Sequence, residues 1–418
     1  MEKDQGVRMS TKASTAVPAG SMKVIGLVST GHFLSHVYML LLPPLFPLLR
    51  EVYGVGFTEL GFALTCFSIV TGFTQAPVGF LVDRYGARVI LMAGLALESL
   101  AIALIGVFPT YGALVSLMVV AGLANAVYHP ADYAILNATV DDARIGRVFS
   151  VHTFAGYLGT AVAPVTIIFL AAVMDWRVAL VLCGGAGAVV TLLMAVSSRA
   201  LDGAPAVPRT GRSFQAGTGR AGWGLLFSVP LLMGLLFFTG LSMASRGMTD
   251  FGISSLNLMY DAPLAQAGAV LSVFLFASPV GVLLGGWMAD RFTRHDLVAA
   301  LCLVIMSAAA FAVAALALPM SALGVVFAVA GLANGVIAPS RDMIIRALTP
   351  PGAMGKVFGF VSTGYNISGI VAPVMFGYAL DRGEPQIVFW AMGALSLLTL
   401  GTIASSGRRA AACRSGAP

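Results

Sequence analysis

Most of this chain is written in apolar runs long enough to cross a bilayer. Between charged or Pro/Gly breaks, about twelve such runs can be read. They begin near Val24, Phe57, Val89, Tyr111, Val148, Val178, Leu225, Ala265, Leu297, Ser321, Val357 and Ile387. A hydrocarbon core of about 30 Å asks for about 20 apolar residues per helix. The composition agrees, with 58% hydrophobic and 10% charged residues, against about 25% charged in soluble domains. No soluble fold of 418 residues could cover that much apolar surface. The chain is therefore expected to be an all-α polytopic membrane protein.

One long polar stretch breaks the rhythm. Residues 198–222 are rich in Pro, Gly and Arg and read as a flexible linker. They divide the chain into a tail (1–23), a six-helix bundle (24–197), a second six-helix bundle (223–405) and a C-terminal tail (406–418). The two halves repeat each other. A shift of 209 residues (330 − 121) superposes "AGLAN" at Ala121 on "AGLAN" at Ala330. The same shift brings Pro130 onto Pro339, and "VAPV" at Val162 onto "VAPV" at Val371. Two parallel six-helix repeats are a recognised transporter plan, with the binding site near mid-membrane between them. Within this repeat Asp132 falls on Arg341.

The formal net charge of +6 comes from basic residues in short loops, not from a basic, aromatic-interleaved patch, so nucleic acid is not an expected partner. Lys23, Arg84, Arg88, Arg147, the linker arginines, Arg291 and Arg294 fall on one side, whereas the other offers little beyond Arg50, Arg177 and Arg382. The positive-inside rule then places both termini in the cytoplasm, as in a bacterial-type inner membrane. The first residues are too polar for a signal peptide, so the first span is expected to stay as an uncleaved anchor. Cys66, Cys183, Cys302 and Cys413 are dispersed, with neither metal-ligand nor disulfide-framework spacing. No Walker sequence, HExxH or nucleophile–base motif is present, so neither an enzyme nor a cofactor is expected.

"GFLVDRYGARVI", from Gly79, lies in the turn between the second and third spans. Gly79 permits close helix approach, Asp83 and Arg84 can bond to neighbouring helix ends, and Gly86 permits a tight turn. The second half keeps Gly286, Asp290 and Arg291 in "GGWMADRFTRHDL". These residues resemble the signature of the major facilitator superfamily. "GHFLSHVYMLLLPPLFPLL", "YHPADYAIL" and "RIGRVFSVHTFAGYLGTAVAP" most resemble its fosmidomycin-resistance-like group. The resemblance implies two pseudo-symmetric six-helix bundles and secondary transport, with efflux favoured over uptake by symport and the Gly/Asp/Arg clusters acting as gates. A monomer is expected.

Four of the five histidines, His32, His36, His129 and His152, lie in the N-terminal half's spans. An ionisable group at membrane depth is costly unless it faces a partner or a cavity, which makes it a functional candidate. His36, His129 and Asp132 are the expected proton carriers, since imidazole titrates near neutrality. His32 and His152 read instead as bonded to nearby backbone or water. Asn125, His129 and Asp132 are spaced to form one polar stripe on the fourth span. The C-terminal half carries Arg246 and Arg341, whose permanent charge asks for an anionic partner. That partner is either a protein carboxylate (Asp132, Asp250 or Asp342) or a substrate carboxylate or phosphonate. Arg246, Arg341, Asn125, Asn334 and Tyr38 are the candidate substrate contacts. A divalent-metal exporter is the alternative, since His32, His36, His129 and Asp132 could ligate a zinc-like ion, but buried arginines oppose a cation site, so no metal is expected.

Overall fold

The computed structural model describes residues 19–139, 145–197, 223–350 and 354–415. The linker 198–222 and the tail before residue 19 lie outside the described residues. So do Arg144 and the side chains of Lys356, Arg408, Arg409 and Cys413. Inside a bilayer every backbone amide must be satisfied internally, and helices do this within one segment. The described residues hold twelve helical segments long and apolar enough to cross: span 1 Ser21–Tyr53, span 2 Phe57–Tyr85, span 3 Ala87–Val107, span 4 Tyr111–Thr139, span 5 Arg147–Val173 and span 6 Trp176–Val196. The second half supplies span 7 Val229–Tyr260, span 8 Leu264–Arg291, span 9 His295–Ala315, span 10 Met320–Leu348, span 11 Val357–Asp381 and span 12 Gln386–Ile403. The protein is an integral membrane protein.

Two spans break where proline removes an amide donor. Span 1 leaves its long helix after Met39, passes through a 3-10 turn at Pro43–Leu45 and resumes as Phe46–Tyr53. Span 4 pauses at Ala126 and Val127, because Pro130 has no N–H to offer the Ala126 carbonyl. The second piece, Tyr128–Thr139, begins on a new register. That break overturns the single polar stripe expected for Asn125, His129 and Asp132. Asn125 donates to Glu98 of span 3 at 3.0 Å, while His129 and Asp132 turn toward the histidines of spans 1 and 5.

The halves meet through spans 2 and 11 and through spans 5 and 8. On the side away from the termini they touch closely. Gly61 sits against the Pro373 carbonyl and Gly377 against that of Phe57, so a β-carbon at either would collide with the opposite half's backbone. The Asp381 carboxylate, at the end of span 11, accepts from the Phe57 amide at 2.7 Å and the Thr58 amide at 2.8 Å. It also accepts from the Thr58 hydroxyl at 2.6 Å. One half thus caps the first turn of the other half's helix, where a carboxylate is best placed. Deeper in, the Thr65 hydroxyl donates to the Ile370 carbonyl at 2.8 Å. Toward the termini, Gly79 of span 2, Gly286 of span 8 and Gly359 of span 11 each have open space where a β-carbon would lie. The halves are bonded to each other on the side away from the termini.

These bonds make a prediction. Asp381→Ala removes charge-assisted bonds that join the halves, a loss of about 2 kcal/mol. The bonded state should then lose about 30-fold in population against its alternative. Spin labels at Glu51→Cys and Glu384→Cys should report a longer distance in Asp381→Ala than in the parent pair. An unchanged distance distribution would remove the latch role of Asp381.

Candidate functional site

The N-terminal half gathers its ionisable groups where spans 1, 4 and 5 meet. His32 and His36 share a face of span 1, at i,i+4. Tyr128–Thr139 presents His129, Asp132 and Tyr133, and span 5 presents His152, Gly156 and Thr160. Gly156 makes the packing possible, since a β-carbon there would lie 2.8 Å from His32 Nε2 and 2.9 Å from His36 Nε2. Asp132 is at the centre and has no exposed surface. Its Oδ2 is 3.5 Å from His32 Nδ1 and 3.4 Å from His152 Nε2. The rings of His32 and His152 stack with centroids 3.9 Å apart. His36 meets His32 edge-on at 4.6 Å, and its Nδ1 is 3.0 Å from the Thr160 hydroxyl. His129 lies 5.6 Å from His32 and 5.8 Å from Tyr133. His129 has accessible surface and His36 is half-buried, whereas His32 and His152 are buried. A ladder of imidazoles thus runs from an enclosed carboxylate to accessible surface.

The C-terminal half places its charges at span depth. Arg246 pairs with Asp250 one turn along span 7, at 3.2 Å, and the Thr249 hydroxyl steadies that carboxylate at 2.7 Å. Around Gly369 of span 11 the Arg246 guanidinium and the Ser68 hydroxyl of span 2 come together. Arg341 of span 10 donates to Asp342 at 2.9 Å and to the Tyr365 hydroxyl. Its guanidinium stands 4.6 Å from the centre of the Phe238 ring and 5.7 Å from that of Tyr365.

The remaining candidates are distributed more widely. Tyr38 is buried, its hydroxyl 3.1 Å from both Ser99 Oγ and the Cys183 carbonyl, among spans 1, 3 and 6. Asn125 serves Glu98, which is fully buried. Asn334 accepts from Ser245 at 3.0 Å and reaches Ser278 at 3.4 Å, tying spans 7, 8 and 10. Asp132 and Arg341 have separate partners in this conformation. In the gating motif, Gly86 takes φ +88°, a conformation left to glycine. Asp83, Arg84, Asp290 and Arg291 are exposed on the side of the termini, Arg84 over Tyr85 and Arg291 over Trp287. Sequence reasoning grouped His32 with Asp132 only as an alternative metal site, gave His152 no role beside that carboxylate, and did not find Phe238 or Tyr365. Their only sequence signal is polarity or aromaticity at span depth.

Twelve spans in two repeated halves, joined through spans 2 and 11 and spans 5 and 8, are the architecture of a membrane transporter rather than an enzyme. A family model described as Major Facilitator Superfamily matches residues 28–259 and 235–409. The chain belongs to that family, whose members carry small molecules by secondary transport. The fosmidomycin resistance protein of Escherichia coli (strain K12) is 23% identical over 94% of each chain. The probable sulfoacetate transporter of Cupriavidus necator is 25% identical over 91% of this chain and 92% of its own. The D-galactonate transporter of Escherichia coli O6:H1 is 22% identical over 84% of this chain and 89% of its own. Among solved structures, a bacterial homologue of the human lysosomal transporter Spinster, inward-facing and occupied, superposes with a TM-score of 0.74. It is 14% identical and covers 94% of this chain and 98% of its own. A variant of the nucleoside transporter NupG gives a TM-score of 0.73 at 15% identity, over 93% of this chain and 99% of its own.

The packing of the N-terminal cluster is checked by adding one methyl group. Gly156→Ala drives a β-carbon into two imidazoles and should cost about 1–3 kcal/mol by overpacking. Gly79→Ala enters open space and should be neutral or slightly stabilising. Thermal unfolding of the two purified variants reads the difference, and equal melting temperatures would contradict the geometry.

Proposed function

We propose that this transporter carries a small organic anion, or a zwitterion, coupled to protons, by rocking its two halves about the seam. The supporting observation is that the C-terminal half holds two half-buried guanidiniums at span depth, Arg341 against Phe238 and Tyr365, and Arg246 beside Ser68 of the other half. Each guanidinium has five donors and spends only some of them on its own aspartate. The rest suit a carboxylate, sulfonate or phosphonate, and Asp250 or Asp342 can receive an ammonium group. Phe238 and Tyr365 hold the Arg341 plane, so a substrate binds a guanidinium already oriented. Sulfoacetate and D-galactonate, named for two relatives, are organic anions and natural first probes.

In this reading His36, His129 and Asp132 carry the proton, with His32 and His152 completing the relay. Asp83, Arg84 and Gly86, with Asp290 and Arg291, close the termini side when the other side opens. Residues 24–197 and 223–405 are the rocking units, joined by 198–222. The chain works as a monomer in the inner membrane with both termini cytoplasmic, and it exports its substrate against incoming protons. That direction rests on the likeness to a protein named for resistance, along 94% of both chains. Uptake by symport is the competing outcome.

Proteoliposomes test both halves of the reading. Counterflow of labelled organic anions identifies the substrate, and Arg341→Ala or Arg246→Ala should weaken its binding by about 2–3 kcal/mol, or about 30- to 150-fold. Arg341→Lys should not restore it, because lysine lacks the planar fork. Asp132→Asn should retain exchange but lose accumulation driven by a pH gradient. Unimpaired binding in both arginine variants would overturn the anion site, and full pH-driven accumulation in Asp132→Asn would overturn the proton path. The sign of the gradient that drives accumulation decides between export and symport.

A further inference from the structure

Three ligating atoms of the N-terminal half converge on one point. His32 Nδ1 and His152 Nε2 approach the same oxygen, Asp132 Oδ2, at 3.5 and 3.4 Å. All three atoms lie within 4.8 Å of one another. The residues are 5%, 1% and 0% exposed for His32, His152 and Asp132. An N–H···O bond spans about 2.7–3.2 Å, so neither approach is a good hydrogen bond. Among the described residues, His32 Nδ1, His152 Nε2 and both Asp132 oxygens have no hydrogen-bond partner. Four such unpartnered atoms in a protein interior, three of them turned toward one point, are costly unless something binds them.

Metal bonds of about 2.0–2.1 Å to nitrogen and oxygen give tetrahedral edges of about 3.3–3.4 Å, close to the two N···O separations. The stacked rings of His32 and His152 splay from their present 24° for both nitrogens to face one ion. Two imidazoles and a carboxylate, with one position left for water, are a donor set that zinc accepts and magnesium does not favour. We infer that His32, Asp132 and His152 bind one divalent transition-metal ion of the zinc class, resident in this half instead of being carried. All three residues belong to spans 1, 4 and 5 of one half, so rocking the halves leaves the site enclosed. A cargo site has to lie between the halves to be opened to each side in turn. Arg246 and Arg341, which oppose a cation, pair with Asp250 and Asp342 in the other half and not with this cluster.

The test uses the full-length, untagged protein. Zinc titrated against a chromogenic chelator should bind at one equivalent and raise the melting temperature, while magnesium should do neither. Asp132→Asn and His152→Gln should each weaken zinc binding at least about tenfold, and His295→Ala, outside the cluster, should leave it intact. Equal zinc binding by the parent and both cluster variants would overturn the site. X-ray absorption on the parent protein gives the same decision without a variant. Scattering from two imidazoles supports the site, and an oxygen-only shell overturns it. Accumulation of radioactive zinc in proteoliposomes would make the ion cargo and contradict its resident role.

Discussion

A backbone amide inside a bilayer must find its partner within the protein, and that constraint organises everything else here. It limits the described chain to helices and makes each proline inside a span an event. Pro130 parts span 4 at Ala126 and Val127, and the piece that follows begins on a face of its own. That face carries His129 and Asp132 to the histidines of spans 1 and 5 instead of to Glu98. The polar chemistry of the N-terminal half therefore depends on a missing hydrogen bond.

The two halves use one triangle of helices for opposite charges. In the first, spans 1, 4 and 5 enclose Asp132 between His32 and His152. In the second, spans 7, 10 and 11 hold Arg341 against Phe238 and Tyr365. The repeat shift brings Arg341 onto Asp132 (341 − 209 = 132) and Tyr365 onto Gly156 (365 − 209 = 156). Where the first half needs room for two imidazoles it has no side chain, and where the second needs a partner for a guanidinium it has a phenol. The exchange of acid for base thus comes with an exchange of its surroundings. In the proposed cycle one triangle handles the proton and the other the anion, and the seam between them converts one gradient into the other.

Much of the architecture was legible because hydropathy over about 20 residues has few competing explanations. All twelve spans begin within four residues of their sequence positions, the widest gap being Leu225 against Val229. The site was less legible for a definite reason. Helical spacing relates residues along one straight helix, and span 4 is not straight, so Asn125 was grouped with the wrong neighbours. His32 and His152 come from different spans, and no local pattern pairs them around Asp132. Tyr38 shows the same limit from the other side. A polar group on span 1 looked available for substrate, and packing spends it on Ser99 and Cys183.

Coupling between the two triangles is the central claim, and proton movement driven by the anion alone measures it most directly. Proteoliposomes loaded with a pH-sensitive dye would receive a gradient of the transported anion, with no initial pH difference and the membrane voltage clamped by potassium and valinomycin. The account predicts a change in luminal pH that follows anion flux in a fixed ratio. Anion flux with an unchanging luminal pH would contradict it.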